Sequence, residues 1–256
     1  MIRSLDDRHA FRARRERAWR NSADYWLRGP LRHVTDVGDY IVARTIELCR
    51  ATNRERPQVV DMGIGDAWLL RALLHTGISF SYAGLDVTPL FLSRARAEFG
   101  QLPHVRFEHV DLETTVSLSF DADVVVNAFN FLELCDLDVA MENAARFLRP
   151  SGTLLASTID KTYLLLALSH GWDGFIENLR LYQELPGIKY DFQPIDLGIA
   201  VSSDLEYPSV LYSADDFISG ARRQNLALAG YREHAFTSKP VPKIYCHYEF
   251  VKDSSS

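Results

Sequence analysis

Three acidic residues stand at even intervals along the middle of the chain, each at the end of a short apolar run. They are Asp61, Asp86 and Asp111, and a turn with two glycines, Gly63 and Gly65, follows the first. Glycines let a ligand lie against bare backbone. In an open α/β sheet, ligands bind beyond the carboxyl ends of the strands. The pattern therefore predicts a binding site for a nucleotide-type cofactor, built from strand ends.

The residues after the second glycine distinguish between two kinds of nucleotide cofactor, a dinucleotide with a diphosphate and a cofactor without phosphate. A dinucleotide fingerprint needs a third glycine three positions after the second, and Trp68 occupies that position. Asp66 adds a negative charge beside the turn, which disfavours a diphosphate. The same residues suit a cofactor that has no phosphate and carries a positive sulfonium. A nicotinamide-dependent oxidoreductase is the weaker alternative.

Strands and helices are predicted to alternate around these acids. The predicted strands cover residues 57–61, 79–86, 105–111, 122–127 and 153–158, followed by an antiparallel pair at 227–236 and 244–251. Asp66 and Asp136 are the expected N-caps of two intervening helices, and Gly77 the expected C-terminal glycine of the first. This alternation predicts a doubly wound α/β fold: a mostly parallel seven-stranded sheet with helices on both faces.

The chain divides into four segments by pattern. Residues 1–50 are expected to form an N-terminal helical cap, and 51–160 the cofactor-binding Rossmann-like core. Residues 161–212 are an aromatic-rich insertion after strand five, which we interpret as a lid that holds substrate. Its aromatic residues could instead serve a small core of its own. Residues 213–256 supply a helix and the strand pair that complete the core.

The glycine turn resembles the first motif of the class I S-adenosylmethionine-dependent methyltransferases, an acid followed by three alternating glycines. Asp61, Gly63 and Gly65 match it, and Ala67 replaces the last glycine. The resemblance covers about residues 40 to 158. It implies that S-adenosylmethionine is the cofactor and that this turn binds it.

Two further motifs follow in the order that the family shows. Residues 84–87, Gly-Leu-Asp-Val, resemble the ribose-binding motif, which implies that Asp86 accepts hydrogen bonds from the ribose hydroxyls with Val87 beside it. Residues 110–112 resemble the adenine-binding motif, which assigns Asp111 and Leu112 to the adenine. Asn127, at the end of the fourth strand, is implied to meet the methionine part of the cofactor.

Two residues outside these motifs complete the candidate site. Tyr25 resembles part of the N-terminal segment that many family members fold over the cofactor, and His170, in the insertion, is our candidate general base. Plainer interpretations remain for each prediction. The glycines could make a tight turn, Asp86 could border a helix and Asp111 could be a solvated strand end. Tyr25 could pack in a core, and His170 could lie at the surface or pack within the insertion.

The reaction implied by the resemblance is methyl transfer to a small-molecule acceptor, leaving S-adenosylhomocysteine. The aromatic insertion favours O- or N-methylation of a natural product or other secondary metabolite, because aromatic side chains can wall a pocket for a flat or apolar molecule. The alternatives are an RNA or protein methyltransferase, and a non-catalytic subunit that binds S-adenosylmethionine as the partner of another enzyme.

The composition and charge of the chain argue against some of these functional classes. The 256 residues have a net charge of −6, which argues against a large nucleic-acid-binding face. Seven arginines against three acids give residues 1–20 a positive balance that could attract an acidic substrate or pair with the rest of the chain. The cysteines are far apart, no metal cluster is visible, and no apolar window is long enough to span a membrane. We therefore expect a cytoplasmic protein with no nucleic-acid or membrane partner, and leave a homodimer open.

Overall fold

The alternation of strands and helices is present in a computed structural model of the chain. The structure describes residues 35–128, 136–159, 199–200, 209–210, 214–236 and 243–254. The strands are β1 Gln58–Met62, β2 Ser81–Asp86, β3 Val105–His109, β4 Ala122–Ala128, β5 Leu148–Ile159, β6 Ile199–Ala200, β7 Ser209–Val210, β8 Leu226–Phe236 and β9 Lys243–Lys252. The helices are α1 Thr35–Ala51, α2 Trp68–Leu74, α3 Pro89–Phe99, α4 Leu137–Phe147 and α5 Ala214–Arg223.

Seven of these strands form one sheet in the order β3-β2-β1-β4-β5-β9-β8, which confirms the predicted seven-stranded α/β architecture. The expectation of a mostly parallel sheet is only partly confirmed, because the sheet is mixed. The first five strands in that order run parallel, whereas β9 is antiparallel to both β5 and β8. The short connection between β8 and β9 requires an antiparallel pair, and β9, rather than β8, pairs with β5.

Helices cover both faces of the sheet. Buried residues of α1, α2 and α3 pack on one face, together with Val59, Val124 and Leu155. Buried residues of α4 and α5 pack on the other, together with Val60 and Val125. On α1, Ile41, Thr45 and Cys49 are buried at helical spacing. Among the described residues, no helix is both long and apolar enough to cross a bilayer.

The ends of the helices agree only partly with the predicted caps. Asp136 caps α4 as predicted, with its side chain accepting a hydrogen bond from the backbone N–H of Val139 at 3.3 Å. The prediction for Asp66 is wrong: Ala67 occupies the N-cap position of α2 and has a left-handed backbone (φ 61°), with no side-chain cap. The helix begins one residue later than expected because the turn continues through Ala67.

The strand order reverses beside β1, whose two neighbours are β2 and β4. Connections leave this point in opposite directions, so a crevice is expected beyond the carboxyl end of β1. The first glycine turn begins there, immediately after Met62. The fold thus places the predicted motif at the position where open α/β sheets bind ligands.

Candidate functional site

The turn after β1 lies against the end of β2. The backbone N–H groups of Gly63 and Ile64 both donate to the carbonyl of Leu85, at 2.7 and 3.1 Å. Gly63 (φ 90°) and Gly65 (φ 50°) have the positive φ angles that favour glycine. Apart from its chain neighbours, no heavy atom of the described residues lies within 4 Å of where a Cβ of Gly65 would stand, which leaves open space above this residue.

Asp86 ends β2 and joins the turn to the start of α3. One carboxylate oxygen, Oδ2, accepts a hydrogen bond from the backbone N–H of Gly65 at 3.1 Å, and Oδ1 accepts one from Thr88 at 2.8 Å. Burial raises the pKa of this carboxyl to about 6, and the backbone donors act in the opposite direction. The charged side chain is thus fixed in orientation at the edge of the crevice.

Asp61 lies at the neighbouring strand end and is also buried. Its Oδ2 accepts a hydrogen bond from the hydroxyl of Tyr82 at 2.5 Å. Burial raises the pKa of Asp61 to about 7; the Tyr82 hydroxyl lowers it, and the charges of Asp86 and Asp66 raise it further. Three acids therefore surround the glycine turn, and their combined field favours a cation over a phosphate.

The adenine-side residues follow β3, the strand next to β2. The backbone N–H of Val110 donates to the carbonyl of Asp86 at 3.0 Å, which brings Asp111 beside the first two acids. Asp111 is half-buried, and its Oδ1 accepts a hydrogen bond from the backbone N–H of Glu113 at 2.9 Å. The side chain of Leu112 is buried in the core between the sheet, α4 and α5. Val87 is half-buried, and its carbonyl contacts Nε2 of His109 at 2.9 Å.

Asn127 lies on the other side of β1, near the end of β4. It directly follows Val126, which is paired with Asp61 in the sheet. Its side chain is buried. The structure thus brings Asp61, Asp86, Asp111 and Asn127 together at one edge of the sheet, whereas Tyr25 and His170 lie outside the described residues.

Asn143 is an important residue that the sequence analysis missed. This buried side chain of α4 reaches the loop that follows Asp111. Its Nδ2 donates to the carbonyls of Leu112 and Thr114 at 3.0 and 2.8 Å, and its Oδ1 accepts from the N–H of Val116 at 3.1 Å. A polar residue on the apolar face of α4 was the available signal, because a buried amide needs hydrogen-bond partners.

The part of the chain that contains this site is similar to known proteins. Residues 59–152, which include the glycine turn and the strand ends up to β5, match the family model described as a methyltransferase domain. Residues 59–152 of the chain form a methyltransferase domain. Within that match, Ala67 stands in place of the last motif glycine. Its φ of 61° is one that glycine adopts more easily.

Two curated relatives share parts of the methyltransferase domain. A non-reducing polyketide synthase of Penicillium rubens is 30% identical over 128 residues, which are 47% of this chain and 5% of that protein. A malonyl-[acyl-carrier protein] O-methyltransferase of Hahella chejuensis is 26% identical over 140 residues, which are 54% of this chain and 47% of that protein. The chain thus spans less than half the length of either relative.

A solved structure shows the same fold over most of the chain. The 1,6-didemethyltoxoflavin-N1-methyltransferase of Burkholderia thailandensis, determined with 1,6-didemethyltoxoflavin and S-adenosylhomocysteine bound, superposes with a TM-score of 0.63 at 11% identity. The alignment covers 96% of this chain and 90% of that one. At this identity the likeness establishes the architecture of the methyltransferase domain.

Proposed function

We propose that this protein transfers a methyl group from S-adenosylmethionine to a small-molecule acceptor. The observation that carries the proposal is the Asp86 carboxylate, buried at the switch point and hydrogen-bonded to Gly65 beside open space. A carboxylate in this position can accept hydrogen bonds from two ribose hydroxyls. The match of residues 59–152 to a methyltransferase domain supports the same site.

The charges around the turn fit this cofactor. Asp61, Asp66 and Asp86 give the site a negative field. S-adenosylmethionine carries positive charge on its sulfonium and amino groups and has no phosphate, so this field attracts it. The same field repels the diphosphate of a dinucleotide, which supports a methyltransferase over an oxidoreductase.

The chain's own residues contribute by holding and orienting the reactants. S-adenosylmethionine, when bound, supplies a methyl carbon that is already activated by a sulfonium leaving group. In the proposed arrangement Asp86 fixes the ribose, the turn from Gly63 to Gly65 lies along the cofactor, and Asn127 meets its methionine part. Positioning of this kind can contribute up to roughly 7–11 kcal/mol to lowering a barrier. His170 would take the proton of an acidic acceptor, adding about two to four powers of ten in rate.

The proposed acceptor is a natural product or other secondary metabolite, methylated on oxygen or nitrogen. The polyketide synthase and the malonyl-carrier O-methyltransferase support this class, because each shares part of the domain. The aromatic residues of 161–212 fit a flat or apolar acceptor. An RNA acceptor is disfavoured by the net charge of −6.

The proposal is tested by following a labelled methyl group. The protein is incubated with tritium-methyl S-adenosylmethionine, and each reaction contains one acceptor. The acceptors are phenolic and carboxylic small molecules, malonyl-loaded acyl carrier protein, and RNA. We expect label in the small molecules with wild type and its loss with Asp86→Ala. Label only in RNA or in protein side chains, or tight cofactor binding without transfer to any small molecule or malonyl group, would contradict the proposal.

A further inference from the structure

The Tyr82 side chain of β2 reaches across to the neighbouring strand β1. In the sheet register Tyr82 is paired with Val59, and Asp61 is paired with Gly84. The hydrogen bond from Tyr82 to Asp61 therefore runs diagonally, from one residue pair to the next. Both side chains are buried, so this 2.5 Å contact is shielded from solvent.

Gly84 provides the space that this diagonal contact needs. A Cβ at position 84 would stand 3.0 Å from Cε1 of Tyr82, 2.7 Å from Cγ2 of Ile64 and 2.9 Å from Cδ1 of Phe107. Any larger residue would thus collide with the ring of Tyr82 and with both neighbours. Phe107 of β3 also packs against the ring at its edge, with centroids 6.3 Å apart. The glycine and the phenylalanine together fix the ring in its position below Asp61.

The surroundings of Asp61 oppose its ionisation, so the hydrogen bond from the Tyr82 hydroxyl is important for the charge of Asp61. Asp86 and Asp66 both disfavour ionisation of Asp61, and burial does so more strongly. Tyr82 is the one group among those acting on Asp61 in the described chain that favours the carboxylate. Arg71 of α2 lies 3.8 Å from the carboxylate of Asp66. Burial and the Asp61 charge raise the pKa of Tyr82 itself, so that its hydroxyl stays a donor at neutral pH.

We propose that Tyr82 is a positioning residue of the cofactor site: its hydroxyl holds Asp61 ionised and oriented, so that the carboxylate can receive the positively charged part of the cofactor. This inference rests on the proposed function and adds a residue that lies outside the matched motif positions. Because Tyr82 contacts Asp61 Oδ2, the second oxygen of Asp61 can face the cofactor. The role is indirect, since Tyr82 acts only through Asp61.

The test compares Tyr82→Phe with wild type and with Tyr248→Phe. Tyr248 is a matched control, because it is a buried tyrosine of the same sheet that stacks on Phe217 and Phe250 on the opposite face. Calorimetry at pH 7 and pH 9 measures the affinity for S-adenosylmethionine, and thermal unfolding confirms that each variant is folded. We expect Tyr82→Phe to bind about tenfold more weakly at pH 7, since a hydrogen bond to a charged group is lost. The deficit should shrink at pH 9, where Asp61 ionises without help, and Tyr248→Phe should match wild type.

A second readout needs no cofactor. Titration of the Asp61 carboxyl carbon by NMR should show its pKa higher in Tyr82→Phe than in wild type and unchanged in Tyr248→Phe. An unchanged Asp61 titration, or an affinity loss of equal size at both pH values, would overturn the role of Tyr82. Failure of wild type to bind S-adenosylmethionine at either pH would instead overturn the proposed function, and the NMR titration would still decide the role of Tyr82.

Discussion

The backbone N–H of Gly65 donates a hydrogen bond to the carboxylate of Asp86 at 3.1 Å and so connects the turn after β1 to the end of β2. This contact makes the two motifs one structural unit. The turn is positioned by the same side chain that is proposed to hold the ribose. A substitution at either residue should therefore weaken cofactor binding more than it lowers the stability of the fold.

Gly65→Ala tests whether the open space above the turn is the cofactor site. A methyl group there would lie more than 4 Å from every other described residue except the two chain neighbours, although φ of 50° is unfavourable for alanine. We expect a loss of stability of about 1 kcal/mol and a loss of S-adenosylmethionine affinity of at least about tenfold, an effect of about 1.4 kcal/mol, measured by calorimetry.

Gly77→Ala is the matched control for this change. Gly77 also has a positive φ, of 71°, and a Cβ built there would likewise meet no described residue within 4 Å except its chain neighbours. It lies in the turn after α2. The same backbone strain should therefore appear without any change in affinity. Equal affinities of the two variants would show that the space above Gly65 is not part of the binding site.

Asp61→Asn should stabilise the protein at pH 8 while weakening cofactor binding. The folded-state pKa of Asp61 is raised to about 7, so its contribution to stability is full below pH 4 and is lost as the pH rises through 7. A neutral amide avoids this loss, which amounts to roughly 2 kcal/mol or more. Urea unfolding at pH 8 should show the gain, and calorimetry the weaker binding. A variant that is less stable than wild type at pH 8 would contradict a buried, ionised Asp61.

His247 should contribute to loss of stability in acid. This buried histidine of β9 contacts Ser157 Oγ through Nδ1 at 2.7 Å and packs on the ring of Tyr40 in α1. Burial, followed by the charges of His234 and Arg232, lowers the pKa of His247 to about 4. The contribution of neutral His247 to the stability of the fold is therefore present above pH 6.5 and is lost as the pH falls toward 4.

The variant His247→Gln isolates this contribution. Between pH 6.5 and 5, wild type should lose on the order of 2 kcal/mol more than the variant in free energy of unfolding. Urea unfolding at the two pH values measures the difference. Parallel losses in both proteins would show that His247 does not titrate in this way.

Asn143→Ala should loosen the loop beside the adenine-binding residues. It removes three hydrogen bonds from backbone groups of the loop, the buried ones at Leu112 and Val116 and a part-buried one at Thr114. The expected loss of stability is about 2–4 kcal/mol, with weaker S-adenosylmethionine binding in the folded protein. Its neighbour Glu142 is exposed and pairs with Arg146, so that Glu142→Ala should change stability by less than about 0.5 kcal/mol. A similar small effect at Asn143 would contradict its role in the loop.

Local sequence patterns predicted much of the fold and part of the site. Apolar runs ending in an acid located β1, β2 and β3 to within two residues, because strand periodicity and turn residues act over short distances. The placement of β9 between β5 and β8 could not be predicted in this way, since it depends on long-range pairing. The prediction that Asp66 caps α2 was wrong because Ala67 adopts a backbone angle that alanine rarely takes.

The contacts that organise the site were the hardest to predict. Tyr82 meets Asp61 over a separation of 21 residues, and Asn143 meets Leu112 over 31. Neither pairing follows a periodicity, and each depends on the relative positions of two elements in the folded chain. Gly84 belongs to the segment that resembles the ribose-binding motif, and its contacts show that packing of Tyr82 and Ile64 also requires a glycine there.

The central claim is that Asp86 holds S-adenosylmethionine at the carboxyl end of β2. Calorimetric titration of S-adenosylmethionine into wild type, Asp86→Ala and Asp121→Ala tests it most directly. Asp121 is the control, an exposed acid paired with Arg54. We predict equal affinity for wild type and Asp121→Ala and a loss of at least about a hundredfold for folded Asp86→Ala, because two hydrogen bonds to a charged group are removed. Unchanged affinity in folded Asp86→Ala would contradict the assignment.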